Sequence, residues 1–261
     1  MKYGKLMLCL LIMSCNSRKE KASAKDLPPD GKDANSATVE KNSSSDICWT
    51  GTINARTPVF LHYKQHGEIL TGEIIYLDTK DKKPISLIGT MDTDSTFRLL
   101  EFERSGNITG IISGRPAGNI FMGRWFSPKR RRELSLSLTK KDSLVVSDNA
   151  DAQTQDIFGS YHYQFSENGY IGYMEIKKLP GSRAAFGITS LTGPAGNVAQ
   201  VEDDTIILKD TRFVYAIPNT DDCEFEVRFF KGFVYIKYTK GACEDQFGMN
   251  ATIEGIYLKT E

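Results

Sequence analysis

Residues 59–64 read VFLHYK and residues 68–77 read EILTGEIIYL, with His66 and Gly67 between them. Apolar and polar side chains alternate through much of both runs, which are rich in the β-branched and aromatic residues that favour strands. Two such runs joined by a short glycine-containing turn are typical of an antiparallel hairpin. This pair predicts the unit from which the folded part of the chain is built.

The same pattern continues over residues 47–139. Turn residues such as Ser105-Gly106-Asn107 and Gly118-Asn119 separate the runs. The further runs are ISLIG (85–89), FRLLEFE (97–103), ITGIISG (108–114), IFMGRWF (120–126) and LSLSL (134–138). No comparable window keeps an apolar period of about 3.6 residues, so we expect about eight antiparallel strands joined by hairpins. This N-terminal domain is predicted to be a small barrel or curled sheet with a lipocalin-like meander.

Four glycines, Gly72, Gly110, Gly114 and Gly123, fall inside predicted strands of this first half. Glycine weakens a flat strand but is frequent at bends and barrel corners. Their positions favour a closed sheet over an open one.

A second β-rich domain is predicted over residues 157–261, after a polar linker at 140–156. Its runs are SYHYQF (160–165), YIGYMEI (170–176), AAFGITSL (184–191), TIILK (205–209), FVYAI (213–217), CEFEVRFF (223–230), FVYIKY (233–238) and GIYLK (255–259). The first and last runs share a Gly-x-Tyr pattern, at Gly159 and at Gly255. We expect these two strands to pair and to close a barrel. The predicted fold class is therefore all-β, with two small antiparallel domains.

The chain begins with Lys2, Lys5 and an apolar run at 6–13, followed by Ser14 and Cys15. Eight apolar residues are too few for a membrane-spanning helix, which needs about 20, whereas they fit a cleaved secretion signal. The segment resembles the lipobox of bacterial lipoproteins, in which the cysteine is diacylated and becomes the mature N-terminus. That resemblance implies a signal peptide at 1–14, a lipid on Cys15 and attachment to a membrane.

The residue after the lipobox cysteine is Asn16. In the family, Asp at this position favours retention in the inner membrane. The resemblance therefore implies an outer-membrane lipoprotein of the cell envelope, facing the periplasm or the surface.

Residues 15–46 are rich in Ser, Lys, Asp and Ala and have few large apolar side chains. Such a segment cannot bury enough surface to offset its ordering entropy. We expect a disordered tether, which by coil statistics places the folded part about 30 Å from the membrane.

The chain carries 33 Lys plus Arg and 33 Asp plus Glu, so its formal charge is zero. No global field attracts nucleic acid, and a charged partner would have to meet a local patch. The run Lys129-Arg130-Arg131-Arg132 follows Ser127-Pro128 and is predicted to lie at a hairpin tip. It is either a solvated turn or a contact for an anionic envelope polymer or partner, since guanidinium groups bind phosphate and carboxylate in bidentate fashion.

Five cysteines occur in the chain, and cleavage of the predicted signal peptide would remove Cys9. In an oxidising compartment, Cys223 and Cys243 are expected to pair because they lie in adjacent strand-like segments. A loop of this length contributes about 3 kcal/mol in the chain-entropy model. Cys48 is left over, either as a buried inert thiol or in a redox or intermolecular role.

The segment from Cys223 through Cys243 to Phe247-Gly248-Met249-Asn250 and residues 255–259 resembles the C-terminal pattern of lysozyme-inhibitor-like envelope β-barrel domains. In these domains a strand cysteine pairs with one before a Phe-Gly-x-Asn turn, and a Gly-x-Tyr-x-Lys strand ends the barrel. The Ser- and Lys-bearing loop of the membrane-bound inhibitors is not found here. The resemblance therefore implies the fold and leaves inhibition as an alternative.

Catalytic and metal-binding patterns are not visible in the sequence. His62 and His66 are four residues apart, but zinc needs a third ligand and none lies nearby. There is no Gly-x-Ser-x-Gly elbow and no cysteine with an evident histidine partner. Acidic pairs such as Glu101 and Glu103 cannot be assigned a glycosidase role by spacing alone. We expect no catalytic residues, no metal and no cofactor.

Three tripeptides, which begin at Asp94, Asp142 and Asp204, resemble the acceptor pattern of a bacterial envelope O-glycosylation system. The resemblance implies Ser95, Ser143 and Thr205 as acceptors.

Together these features predict a lipid-anchored envelope protein that acts as a non-catalytic binding or assembly module for an envelope protein or glycan. The alternatives are a lysozyme-inhibitor-like protective lipoprotein and an envelope glycan hydrolase. An inhibitor should show a protruding polar loop, a hydrolase two carboxylates in one cleft, and a small-ligand carrier a deep apolar cup.

Overall fold

The computed structural model describes residues 46–142, 156–166, 169–193, 196–220, 222–241, 243, 246–248 and 250–260. Sixteen β-strands and no α-helix occur among them, which confirms the all-β prediction. Accordingly, the described residues contain no helix that could cross a membrane. The predicted signal peptide, Cys15, nearly all of the tether and Ser143 lie outside the described residues.

The first sheet is an eight-stranded closed barrel in which each strand pairs with the next and β8 returns to β1. Its strands are β1 (Ile47–Ile53), β2 (Thr57–His66), β3 (Ile69–Tyr76), β4 (Pro84–Met91), β5 (Phe97–Phe102), β6 (Ile108–Ala117), β7 (Ile120–Ser127) and β8 (Arg132–Lys141). This is the predicted antiparallel meander. The last strand extends two residues past 139, where the linker was expected to begin.

The barrel interior is filled by aromatic side chains. Phe97 and Phe121 stack with ring centroids 4.6 Å apart, and Trp49 meets Phe121 edge-on at 6.2 Å. The three side chains are at most 2% exposed. Gly114 and Gly123 pair with each other, and the ring of Phe121 occupies the space that Cβ atoms would need there. The strand glycines thus make room for the packed core of a narrow barrel.

The second sheet also has eight antiparallel strands, in the order β12-β11-β10-β9-β16-β15-β14-β13. Its strands are β9 (Gly159–Gln164), β10 (Ile171–Lys178), β11 (Arg183–Thr192), β12 (Asn197–Ile207), β13 (Arg212–Ala216), β14 (Glu224–Phe230), β15 (Phe233–Lys240) and β16 (Gly255–Lys259). Two four-stranded meanders are therefore joined through β9 and β16.

The pairing of the first and last strands of this half is confirmed, since Leu258 of β16 lies opposite His162 of β9. The pair lies in the middle of the sheet, and the hydrogen-bonded ladder is interrupted between β12 and β13 instead. The open edges are β12 and β13, and side chains connect them. The Tyr215 hydroxyl donates to Asp204 at 2.6 Å, and the Phe186 and Phe213 rings pack at 4.9 Å. The sheet is curled and its edges meet without a hydrogen-bonded ladder.

The disulfide between Cys223 and Cys243 is present, as predicted. It joins the residue before β14 to a residue beyond the end of β15, so it fixes the open end of that hairpin. Cys48 lies outside this disulfide and is fully buried.

Besides the core inside the barrel, there is a second hydrophobic core that the two sheets share. β5 contributes to both, because Leu99 points into the barrel whereas Leu100 and Phe102 pack with residues of the second sheet. Polar contacts reinforce this interface at Glu68, which accepts hydrogen bonds from Arg228 and, at 2.7 Å, from Lys237.

Candidate functional site

An open groove lies on the exposed face of β9 to β12, and its floor is set by strand register. His162 lies opposite Tyr173, Tyr173 opposite Thr189, and Thr189 opposite Gln200. Directly paired residues project from the same face of a sheet. These four side chains therefore form one row across four strands, about 14 Å long at about 4.8 Å per strand.

A second row runs beside the first and is acidic. Ser160 lies opposite Glu175, and Glu175 opposite Gly187. A β-bulge then sets both Glu202 and Asp203 against Gly187. A Cβ atom on Gly187 would collide with the Asp203 carboxylate, so glycine allows this carboxylate to lie over β11.

The wall of the groove comes from the barrel. Arg104 and Ser105 of the β5–β6 turn line it, and Gly106 packs directly on the backbone of His162. Gly106 has a φ of +86° and no room for a Cβ atom, which would lie 2.7 Å from the His162 carbonyl oxygen. A hydrogen bond of 3.1 Å from the Gln164 amide to the Gly106 carbonyl fixes the turn. The groove therefore needs both halves of the chain.

The aromatic part of the floor is uncharged. His162 and Tyr173 stack at 4.5 Å with an angle of 22° between their planes. Burial lowers the pKa of His162 below its usual value of 6.5, so the imidazole is neutral at pH 7. Its Nδ1–H donates to the Gly172 carbonyl at 3.0 Å. This bond holds the ring against Tyr173, which is 49% exposed and presents the rest of its surface to the groove.

The charged part of the floor is exposed. Lys177 pairs with Glu175 at 2.9 Å, and both side chains are more than half exposed. Glu202 and Asp203 are exposed as well. The groove has a volume of about 860 Å³, within the range of about 300–1,000 Å³ that is usual for ligand sites. Its lining of hydroxyl, amide, carboxylate and aromatic groups suits a polar, extended ligand.

The predicted basic patch lies elsewhere. Lys129, Arg130 and Arg131 form the β7–β8 turn and Arg132 begins β8, as the hairpin-tip prediction required. All four are exposed. Over the described parts of the chain, none of the four side chains makes an ion pair.

The predicted glycosylation acceptors that the structure describes are both exposed. Ser95 lies in the β4–β5 turn, where the neighbouring Asp94 accepts hydrogen bonds from Thr96. Thr205 lies in the edge strand β12.

A second polar cluster surrounds His62. Its Nδ1 lies 2.9 Å from Asp46, whose side chain is buried, and its Nε2 lies 3.4 Å from Glu73. Cys48 lies opposite His62 in the β1–β2 ladder, and its thiol contacts the Asp46 carbonyl oxygen at 3.9 Å. Sequence spacing did not reveal this cluster. His66 has no part in it, and no group of three potential ligands in the described chain is arranged to hold a metal ion.

A third polar cluster lies inside the barrel. Glu101 is 1% exposed, and its Oε1 accepts hydrogen bonds from Tyr76 at 2.9 Å and from Trp125 at 2.7 Å. Burial raises the pKa of its carboxyl above the usual value, against the opposing effect of these donors. The Cβ of any residue at 110 would collide with this carboxylate, which explains Gly110. Because the Glu101 carboxylate is buried, we expect it to affect the stability of the barrel.

Comparison with known proteins does not assign the groove. A scan against models of protein families gave no match, and neither did searches of curated proteins and of solved structures. The geometry of the groove is therefore the basis on which a function can be proposed.

Proposed function

We propose that this chain is a lipid-anchored protein of the cell envelope that binds a neutral or amine-bearing glycan in the groove, without chemical turnover. The observation that carries the proposal is the row formed by His162, Tyr173, Thr189 and Gln200 on the exposed face of the second sheet.

The row offers the contacts that a sugar chain uses. The C–H face of a pyranose ring is weakly positive and packs on the electron-rich face of an aromatic ring such as Tyr173. Thr189 and Gln200 supply both donors and acceptors for hydroxyl and amide groups. The carboxylates of Glu175, Glu202 and Asp203 accept hydrogen bonds from hydroxyl or ammonium groups and repel anionic sugars.

Two other activities are less well supported by the geometry. A carrier of small apolar molecules needs a cup, whereas Trp49, Phe97 and Phe121 fill the barrel. A glycosidase acid is usually a carboxyl that burial keeps protonated, whereas Glu175, Glu202 and Asp203 are exposed. The cleft does gather several carboxylates, so turnover must be measured alongside binding.

Lipid attachment at Cys15 is a separate part of the proposal. Each buried CH₂ contributes about 0.8 kcal/mol to membrane affinity, so two acyl chains would hold the protein permanently. We expect cells that express the full chain to incorporate radioactive palmitate into it, and the Cys15→Ala variant to incorporate none. Equal labelling of the two proteins would show that this cysteine is not the anchor.

Glycan binding can be tested with the full-length protein and three defined trisaccharides: tri-N-acetylchitotriose, its amine-bearing deacetylated form, and trigalacturonate. We expect the first or second to bind and the anionic third not to bind in calorimetry. Tyr173→Ala should weaken binding about two- to tenfold, since an aromatic contact contributes about 0.5–1.5 kcal/mol.

The matched control is Tyr170→Ala, because Tyr170 is similarly exposed, at 46%, but does not line the groove. Its affinity should equal that of the wild type. Equal losses in both variants, or preference for trigalacturonate, would contradict the groove assignment. Release of reducing ends, abolished by Glu175→Gln, would replace the binding function with hydrolysis.

A further inference from the structure

The meander sorts the turns of the barrel between its two ends. Because successive strands are antiparallel, the turns β1–β2, β3–β4, β5–β6 and β7–β8 share one end, and β2–β3, β4–β5 and β6–β7 share the other. The β5–β6 turn leans on the second sheet and lines the groove. The three remaining turns of the first end form one exposed surface, which we name the basic end.

The basic end has a large excess of positive charge. Its turns, with the adjoining Arg132, carry eight cations against two carboxylates, Asp78 and Asp81, which leaves a surplus of six positive charges. All eight cations are exposed. They are Arg56, Lys80, Lys82, Lys83, Lys129, Arg130, Arg131 and Arg132.

These cations have few internal partners. Within the described residues, Lys83 forms an ion pair with Asp81 at 3.6 Å, and the other seven form none. An ordinary protein surface intersperses charges of both signs. Here the unpaired cations come from three turns separated by up to 76 positions in sequence, between Arg56 and Arg132.

The turns at the opposite end of the barrel lack cations. The turns at 67–68, 92–96 and 118–119 carry three carboxylates, Glu68, Asp92 and Asp94, and no lysine or arginine. Asp94 forms an ion pair with Arg115, and Glu68 with Arg228 and Lys237, while Lys140 and Lys141 end β8 at the same end. The excess charge of the barrel is therefore concentrated at the basic end, and a surface charge of this kind orients a protein in an external field.

We propose that the basic end docks on a membrane surface that contains anionic phospholipids. The turns at one end of a barrel form a broad rim rather than a channel, which fits a flat surface better than a single polymer strand. Each Lys or Arg near such a surface contributes about a fivefold increase in affinity, which corresponds to about 1 kcal/mol per residue. This surface is distinct from the groove, and the inference does not depend on glycan binding.

The test uses the full-length chain with Cys15→Ser in every protein, so that no acyl chain contributes. Co-sedimentation is measured with phosphatidylcholine vesicles, with and without phosphatidylglycerol. We expect binding that requires phosphatidylglycerol and is reversed by salt, since the contacts are solvent-exposed. The variant with Lys129, Arg130, Arg131 and Arg132 all changed to Gln should bind at least about a hundredfold more weakly.

The matched control changes Lys140, Lys141, Lys209 and Lys231 to Gln, which removes the same charge from exposed positions away from the basic end. It should keep most of the binding. Equal losses in the two variants would show that net charge alone acts and would overturn the proposal. Binding to soluble polyphosphate without binding to vesicles would overturn it as well, in favour of a polymeric partner.

Discussion

Glu101→Ala is expected to lower the free energy of unfolding by about 4 kcal/mol, whereas Glu101→Gln should leave the barrel folded. Alanine removes the acceptor of both Tyr76 and Trp125 inside the barrel, and each unsatisfied buried donor costs about 1–3 kcal/mol. Glutamine retains a carbonyl oxygen at the position of Oε1. Its amide group can donate to the Thr109 hydroxyl, which lies 3.4 Å from Oε2. Urea unfolding followed by tryptophan fluorescence measures both changes.

The same pair of proteins tests a pH dependence. Because burial raises the pKa of Glu101, the native state binds this proton more tightly than the unfolded state, whose glutamate pKa is about 4.3. The stabilisation from the bound proton is therefore complete below that value and is lost as pH rises through the raised native pKa. Relative to wild type, Glu101→Gln should become progressively more stable as pH rises from the unfolded pKa of about 4.3 through the raised native pKa.

A constant difference between wild type and Glu101→Gln over this range would mean that Glu101 titrates at its ordinary pKa, despite its burial. A Gln variant as unstable as the Ala variant would show that the negative charge itself holds Tyr76 and Trp125. Either result would change the description of the barrel interior.

The strands of both sheets could be predicted from sequence because their alternation is local. There are two exceptions: β1 (Ile47–Ile53) lies in none of the predicted runs, and β12 was expected at Thr205 but begins at Asn197. For β12 there is a physical reason. Its first half buries only the small residues Ala199 and Val201 and exposes Gln200 and Glu202. An edge strand with one solvated face and few large apolar residues gives a weak pattern.

The groove could not be predicted because it depends on the register of four strands. His162 and Gln200 are distant in sequence and enter one row only through three successive pairings. A shift of one residue in any strand would turn its side chain to the other face. The bulge at Gly187, which brings Glu202 and Asp203 together, has no evident sequence signal.

The basic end is a different case, since its signal was present in the sequence. Once a meander of eight strands is predicted, alternate turns must share an end. The cations at 80–83 and 129–132 could then have been placed together with Arg56. The prediction was limited to residues 129–132 because these cations are adjacent in sequence, whereas the other turns approach them only in the folded meander.

The second large effect is expected for Phe121→Ala, which should lower the free energy of unfolding by about 4 kcal/mol. Removal of a buried phenylalanine typically costs about 3–5 kcal/mol, through lost burial and an unfilled cavity. Phe121 is fully buried, stacks on Phe97 and fills the space above Gly114 and Gly123. Because neighbouring groups pack against the ring on several sides, they should fill the cavity left by its removal only in part. Chemical unfolding measures the change, with Phe60→Ala as the control because Phe60 is only partly buried.

The cavity also tests why the barrel is not a carrier. An apolar void of this kind stays dry and accepts a small apolar molecule such as benzene. Benzene should therefore raise the stability of Phe121→Ala and leave that of the wild type unchanged, as expected for a ligand that binds the native state alone. If benzene stabilised the wild type to the same extent, the barrel would already contain an apolar cavity. A carrier function inside the barrel would then be better supported than ligand binding in the groove. A loss no greater than that of Phe60→Ala would mean that the aromatic side chains do not close the interior.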